Sequence, residues 1–105
     1  MERILLVDDE PIFRMGLRSV ISWEELGCQI VGEAKNGEEA LIQIEEKKPD
    51  IVFLDIEMPG MNGIYVGNEL KKVNRNVIVF VVTSYSEYLD EAMRFHVFRY
   101  LSKPL

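Results

Sequence analysis

Short apolar runs alternate with amphipathic segments along this chain. The apolar runs are rich in β-branched and aromatic residues, which is typical of buried strands. The segments between them carry apolar residues at intervals of three and four, which indicates helices. The predicted strands are 3–8, 28–34, 51–55, 77–83 and 99–102, and the predicted helices are 11–22, one after Asn36-Gly37, one after Gly63 and one beginning at Ser84.

This alternation predicts an α/β fold in which residues 1–105 form one domain. Strands that are apolar throughout must be covered on both faces, which favours a parallel sheet between two layers of helices. We expect one apolar face of each helix to pack on the sheet. The expected packing residues are Phe13, Leu17, Val20 and Ile21 in the first helix, Ala40, Leu41 and Ile44 in the second, and Val66, Leu70 and Val73 in the third.

Composition narrows the class of function. The chain has 105 residues and a net charge of −6, which argues against a basic face that binds nucleic acid. Cys28 is the only cysteine, so an internal disulfide is excluded, and we expect a buried thiol and a cytoplasmic location. The longest apolar run, Val77–Val82, is too short to cross a membrane, and the N-terminus does not resemble a signal peptide.

Residues capable of chemistry stand where the predicted strands end. Asp8 and Asp9 come after the first strand, Asp55 closes the third, Thr83 closes the fourth and Lys103 follows the fifth. Ligands of open parallel sheets bind in the crevice at the carboxyl ends of the strands, so we expect these five residues to converge there. The sequence therefore predicts one site with three carboxylates, a hydroxyl and an ammonium.

The predicted site suits a metal ion and a phosphoryl group. Carboxylates in one crevice repel one another, and a hard divalent cation such as Mg²⁺ relieves that repulsion. An ammonium and a hydroxyl beside the metal suit a phosphoryl group, whose charge lies on several oxygens. Asp55 is the best candidate for a nucleophile, because the Gly/Pro loop after it lets backbone approach a ligand. Glu10 is interpreted as a solvated acid at a helix start.

Four motifs in this order resemble the receiver domain of two-component response regulators. They are Val7-Asp8-Asp9-Glu10, Asp55-x-x-Met58-Pro59 with Gly63, Thr83-Ser84, and Tyr100-Leu101-Ser102-Lys103-Pro104. The resemblance extends over nearly the whole chain and implies a flavodoxin-like sheet of five parallel strands in the order 2-1-3-4-5. Segments 21–27, 31–34 with Asn36-Gly37, and 83–88 also resemble the subgroup joined to AraC-type helix-turn-helix output domains.

The resemblance implies a phosphoacceptor switch. Asp55 would accept a phosphoryl group from a sensor histidine kinase in a Mg²⁺-dependent reaction. Asp9, Asp55 and the backbone carbonyl of Glu57 would ligate Mg²⁺, with Asp8 acting through water, and Lys103 would contact the phosphoryl oxygens.

The resemblance also implies how phosphorylation at the site would affect the rest of the protein. Thr83 would close on the phosphoryl group, and Tyr100 would move inward behind it. This pair would relay the change to a DNA-binding output domain that the chain does not include. The domain would thus catalyse its own phosphorylation and dephosphorylation and would not be an enzyme with a separate substrate.

The end of the chain departs from the family pattern. Family receivers continue into a fifth helix, whereas this sequence stops at Leu105 and reads as a receiver truncated before that helix. We expect apolar sheet surface to be exposed as a result, and a homodimer or an exchange of elements with a second copy to cover it. Contact with DNA would come only through a C-terminal output domain, and no contact with a membrane is expected.

Three other functions stay open. An aspartate-nucleophile phosphatase would carry a second aspartate two residues after the nucleophile, where this chain has Glu57. A flavin-binding module would need a hydroxyl- and glycine-rich loop after the first strand, where this chain has Asp8-Asp9-Glu10-Pro11. A receiver-like scaffold that takes no phosphate is the third.

Overall fold

The computed structural model describes residues 1–56, 58, 60, 63–74, 76–83 and 98–103, with the backbone alone described at Thr83, Tyr100 and Ser102. The elements in these ranges are β1 (Glu2–Val7), α1 (Pro11–Val20), β2 (Cys28–Ala34), α2 (Gly37–Lys47), β3 (Ile51–Leu54), α3 (Gly63–Val73), β4 (Ile78–Thr83) and β5 (Arg99–Ser102). All five predicted strands and the first three predicted helices are confirmed. The helix predicted to begin at Ser84 lies outside the described residues. None of the helices within the described ranges has the length and apolarity needed to cross a membrane.

The five strands form one parallel sheet in the order β2-β1-β3-β4-β5, as predicted. The register aligns the carboxyl ends of the central strands, because Val7 of β1 lies beside Leu54 of β3 and Leu54 lies beside Val81 of β4. Backbone hydrogen bonds continue past these ends: the Asp55 N–H donates to the Val7 carbonyl at 2.9 Å. The residues that follow β1 and β3 are therefore held in the same alignment as the strands themselves.

The central strands are apolar on both faces because helices cover both faces. Leu5 and Val7 face the core beneath α2 and α3, whereas Ile4 and Leu6 face the core beneath α1. The buried thiol of Cys28 belongs to the second of these cores, as expected.

Two of the expected packing residues lie on the surface instead. Val20 is 77% exposed and Val73 is 62% exposed. Each is the last residue of its helix, where the chain leaves the packed surface. Ile21, which was also expected to pack, contacts the core from just beyond the end of α1.

An ion cluster joins α1 to the edge strand β2. The Glu33 carboxylate of β2 accepts hydrogen bonds from Arg14 Nε at 2.9 Å and from Arg18 Nε, both on α1. Burial alone would raise the pKa of Glu33, but the hydrogen bonds from Arg18 and Arg14 and their charges hold it below its ordinary value. Folding therefore favours the ionised form of Glu33.

The depressed pKa of Glu33 predicts a pH-dependent contribution to stability. The contribution is complete above the ordinary carboxyl pKa of about 4.3 and is lost as pH falls through the lower folded-state pKa. Glu33→Gln should lower the free energy of unfolding by about 1 kcal/mol at pH 7, and this difference should shrink below about pH 4. Urea unfolding of both proteins at several pH values measures it. Glu46→Gln, which changes an exposed glutamate of α2, is the control, and a Glu33→Gln difference that is constant with pH would contradict the prediction.

Candidate functional site

The turn after β1 holds two acids at the edge of the sheet. Asp8 is buried, and its N–H donates to the Ala34 carbonyl at 3.0 Å, which extends the pairing of β1 with β2. Its carboxylate Oδ1 accepts from the Glu10 N–H at 2.9 Å, so the side chain closes a local turn in the manner of an Asx turn. Pro11 then begins α1 directly. The chain therefore reverses into α1 without moving the acids away from the strand end.

Asp55 lies beside this turn because β3 lies beside β1. Its carboxylate is buried, and the next described residues, Ile56 and Met58, are buried in the core beneath α2 and α3. Gly63, the first residue of α3, donates its N–H to the Ile56 carbonyl at 2.8 Å. A Cβ on Gly63 would lie 2.6 Å from Ile56 Cα and would also clash with the Asp55 carbonyl oxygen. The start of α3 thus packs directly on the backbone that carries Asp55.

Four carboxylates meet at this edge of the sheet. Oxygen atoms of Asp8, Asp9, Glu10 and Asp55 all lie within 4.8 Å of one another. The structure therefore brings together the three aspartates predicted from the sequence and adds Glu10, which was interpreted as a solvated helix-start acid. Glu10 is indeed exposed and directly precedes α1, but it also belongs to the cluster. Oxygen donors of this kind are the ligands that Mg²⁺ prefers.

Lys103 lies among these carboxylates. Its Nζ is 2.7 Å from Asp8 Oδ2, 2.6 Å from Glu10 Oε1 and 3.3 Å from Asp55 Oδ2, and its side chain is only 9% exposed. The same ammonium lies 4.4 Å from the ring centroid of Phe13, a cation–π contact that covers it from the side of α1. One lysine therefore links the end of β5 to the ends of β1 and β3.

Burial and neighbouring charges shift the pKa values of Asp8 and Lys103. Burial raises the pKa of Asp8, and the hydrogen bonds from Lys103 and from the Glu10 N–H offset only part of that increase. Burial alone would lower the pKa of Lys103, but its hydrogen bonds to Asp8 and Glu10 and the charge of Asp55 raise it above its ordinary value. The two upward shifts have different causes, because burial raises the pKa of Asp8, whereas the neighbouring carboxylates raise the pKa of Lys103. Lys103 therefore stays protonated at neutral pH.

The remaining predicted site residues are placed only in part. Thr83 ends β4 in register with Ser102, and Tyr100 lies beside Val81, so both backbones belong to the strands predicted for them. The side chains of Thr83 and Tyr100 lie outside the described part of the structure, and so does the whole of Glu57.

Sequence reasoning missed two residues that support the site. Arg14 Nη1 donates to the backbone carbonyl of Asp8, and the Phe13 ring lies against Lys103. Phe13 has helical apolar spacing and was interpreted as a core residue only. Arg14 gives no local signal, because Glu33, the acid that pairs with it, is 19 residues away on another element.

A family model and a relative both match nearly the whole chain. The model described as the response regulator receiver domain matches residues 4–105. The uncharacterized transcriptional regulatory protein YesN of Bacillus subtilis is 42% identical over 106 residues, which cover 99% of this chain and 29% of YesN. The chain spans 29–43% of the length of the first three curated relatives that it matches.

Solved structures share the same architecture. The REC domain of AraT, a response regulator from Geobacillus stearothermophilus, has a TM-score of 0.93 and 38% identity, with 98% of this chain and 81% of that chain covered. The response regulator TrrA from Thermotoga maritima, solved in complex with Mg²⁺-BeF, has a TM-score of 0.84 and 39% identity, with 98% and 87% covered.

The contact between Gly63 and Asp55 predicts an unusual response to alanine. Replacement of a helical glycine by alanine ordinarily stabilises a helix by up to about 1 kcal/mol. Gly63→Ala should instead lower the free energy of unfolding by about 1–3 kcal/mol, because the new methyl group meets backbone atoms that cannot move aside as a flexible side chain does. Urea unfolding of the parent and of Gly63→Ala measures this difference in the free energy of unfolding.

Gly16→Ala provides the matched control. Gly16 lies within α1, and an added Cβ there would meet no atom within 4 Å. This variant should be as stable as the parent or more stable. Equal stabilisation by the two substitutions would show that α3 does not press on the Asp55 backbone.

Proposed function

The chain belongs to the response regulator receiver family, and on that basis we propose that Asp55 is the phosphoacceptor of a two-component switch. The observation that carries this proposal is the contact of Lys103 with Asp55 at the carboxyl edge of the sheet, within a cluster of acids. An ammonium is poised there to balance the charge of an added phosphoryl group. The phosphodonor we propose is a phosphohistidine on a sensor histidine kinase.

The proposed transfer needs one nucleophile and one leaving group. An Asp55 carboxylate oxygen forms a bond to phosphorus, and the bond from phosphorus to the donor's imidazole nitrogen breaks. The electron pair of that bond stays with the imidazole. Lys103, which the contacts with Asp8 and Glu10 keep protonated, neutralises charge on the phosphoryl oxygens. The reaction stops at the aspartyl-phosphate until water hydrolyses it.

We propose Mg²⁺ as the cofactor, held by Asp9, Asp55 and the backbone carbonyl of Glu57, with Asp8 acting through water. The oxygen donor set of the carboxylate cluster fits this ion. When bound, the ion supplies charge stabilisation to the transferring phosphoryl group. TrrA, the relative solved with Mg²⁺-BeF, is consistent with such a site in this family.

The proposed output depends on a shift between two conformations. Thr83 would contact the phosphoryl group, and Tyr100 would move inward in response. The placement of Thr83 at the end of β4, with Tyr100 on the adjacent strand β5, supports this route. A contact made in one conformation and not in the other can shift their populations by its own differential free energy.

The proposed partners are a histidine kinase and an AraC-type DNA-binding output domain. The relative YesN is named as a transcriptional regulatory protein, which supports a role for longer relatives in the regulation of transcription. A homodimer or an exchange of elements between two copies stays a prediction, as does a cytoplasmic location. A light-scattering measurement showing only monomer over a wide concentration range would exclude the association of two copies.

Phosphorylation of Asp55 is directly testable by intact mass. After incubation with acetyl phosphate and Mg²⁺, the protein should gain one phosphoryl group. Asp55→Asn removes the nucleophilic oxygen with little change of volume and should gain none. EDTA should prevent the adduct in the parent protein because the Lys103 ammonium must then balance both the acids and the incoming phosphoryl group without Mg²⁺.

The controls distinguish the remaining functions. Asp9→Asn should slow labelling strongly while leaving Asp55 present, because Asp9 is a proposed ligand and not the nucleophile. Continuous release of phosphate, far beyond one phosphate per chain, would favour an aspartate-nucleophile phosphatase. A folded protein that binds Mg²⁺ and forms no adduct would favour a scaffold that takes no phosphate.

The position of Lys103 predicts competition with the metal. Its ammonium occupies the same carboxylates that are proposed to bind Mg²⁺. Lys103→Met should therefore destabilise the metal-free protein, and Mg²⁺ should raise the Tm of this variant by more than it raises the Tm of the parent. Labelling from acetyl phosphate should nevertheless be slower, because the phosphoryl oxygens lose their cation.

A control variant with the same change of net charge separates the local competition of Lys103 with Mg²⁺ from a general effect of net charge. Lys72→Met removes an exposed lysine of α3 that pairs with Glu69. Thermal unfolding across a series of MgCl₂ concentrations should give this variant the same Mg²⁺ response as the parent. A smaller Mg²⁺ response in Lys103→Met than in Lys72→Met would refute the competition.

A further inference from the structure

A half-buried arginine holds the peptide bond that joins the two adjacent aspartates. Arg14 Nη1 donates to the backbone carbonyl of Asp8, and this carbonyl and the Asp9 N–H belong to one planar peptide unit. The Asp8 N–H is already fixed by the Ala34 carbonyl. The backbone groups on both sides of Asp8 are therefore held by hydrogen bonds, and the orientation of the peptide bond to Asp9 depends on the Arg14 guanidinium.

Arg14 is itself held through both its guanidinium and its backbone. Arg14 Nε donates to Glu33 Oε1 at 2.9 Å, and the Arg14 side chain is only 15% exposed. The Arg14 N–H also donates to the Glu10 carbonyl, in the first turn of α1. Arg14 therefore contacts the turn at both of its ends, through its side chain at Asp8 and through its backbone at Glu10.

We propose that Arg14 is a positioning residue for the metal-binding turn and that Glu33 holds its guanidinium in place. This inference rests on the proposed function, because it concerns how Asp9 is presented to Mg²⁺. Arg14 touches neither the metal nor the phosphoryl group and acts through the peptide between Asp8 and Asp9. Partners that orient metal ligands in this way commonly change affinity by about 10–100-fold when they are removed.

Glu33 has a second effect in this arrangement. An arginine close to four carboxylates would be drawn into direct ion pairs with them, where it would compete with a metal ion. The Glu33 carboxylate satisfies the Nε edge of the guanidinium and leaves Nη1 to donate to a neutral carbonyl oxygen. The β2 acid therefore keeps a cation beside the site without placing it among the ligands.

Arg18 offers a matched comparison. It lies one turn further along α1 and pairs with the same Glu33 carboxylate, but the contacts described for it do not include the Asp8 carbonyl. Loss of either arginine removes one positive charge and one hydrogen bond to Glu33. Only the loss of Arg14 removes the contact with the turn.

The experiment measures Mg²⁺ affinity by isothermal titration calorimetry at neutral pH in the parent, Arg14→Gln and Arg18→Gln. We expect Arg14→Gln to weaken binding by about tenfold and Arg18→Gln to change it by less than about twofold. Thermal unfolding of each variant confirms that folded protein is being titrated. The inference is supported if the dissociation constant of Arg14→Gln is more than about three times that of Arg18→Gln, and a smaller ratio overturns it.

Failure of the proposed function gives a different result from failure of this inference. A parent protein that neither binds Mg²⁺ nor forms the Asp55 adduct removes the proposed function and the inference together. A parent that does both, with equal affinities in Arg14→Gln and Arg18→Gln, removes the inference alone.

Glu33→Gln keeps the test decisive if Arg14→Gln does not fold. This variant retains both arginines and removes only the carboxylate that holds them. Weaker Mg²⁺ binding is expected, because Arg14 is released toward the site carboxylates. Unchanged affinity in Glu33→Gln would then overturn the inference.

Discussion

Four carboxylates lie at one edge of the sheet, and their mutual repulsion is the constraint to which the surrounding structure responds. Lys103 neutralises part of the charge through contacts with Asp8, Glu10 and Asp55. Backbone N–H groups supply further stabilisation, as at Asp8, whose carboxylate accepts from the Glu10 N–H. One ammonium among these four carboxylates leaves the described cluster with an excess of negative charge. A site left with excess negative charge is suited to bind a cation.

The sequence predicted those features that depend on local pattern. The central strands could be identified because their residues are apolar on both faces, and the order of the motifs placed Asp8 and Asp55 at adjacent strand ends. The errors occurred at helix ends: Val20 and Val73 follow the helical repeat but lie where the helices leave the sheet. A periodic pattern does not itself show where the packed surface stops.

The parts of the site that could not be predicted depend on contacts between distant residues. Glu10 occupies the position of an acid at the start of a helix. It pairs with Lys103 because β5 places that lysine at the same edge of the sheet. The pair of Arg14 and Glu33 likewise needs α1 to pack across β2 before it can form. Gly63 could be recognised as a loop residue in a motif, whereas its contact with the Asp55 backbone required the position of α3. In each case the tertiary fold supplies the neighbour.

The same lysine that balances the site also connects it to β5, which gives the proposed signal a physical route. Lys103 follows β5 directly, and its contacts are with the residues that follow β1, precede α1 and follow β3. A phosphoryl group on Asp55 would add negative charge at the β3 contact and strengthen it relative to the contacts with Asp8 and Glu10. Tyr100 lies on β5, three residues before Lys103, so a shift of the lysine toward Asp55 would act on the strand that carries the proposed switch residue. The response would then begin as a redistribution of existing contacts around one ammonium, which requires only a small difference in free energy between two arrangements.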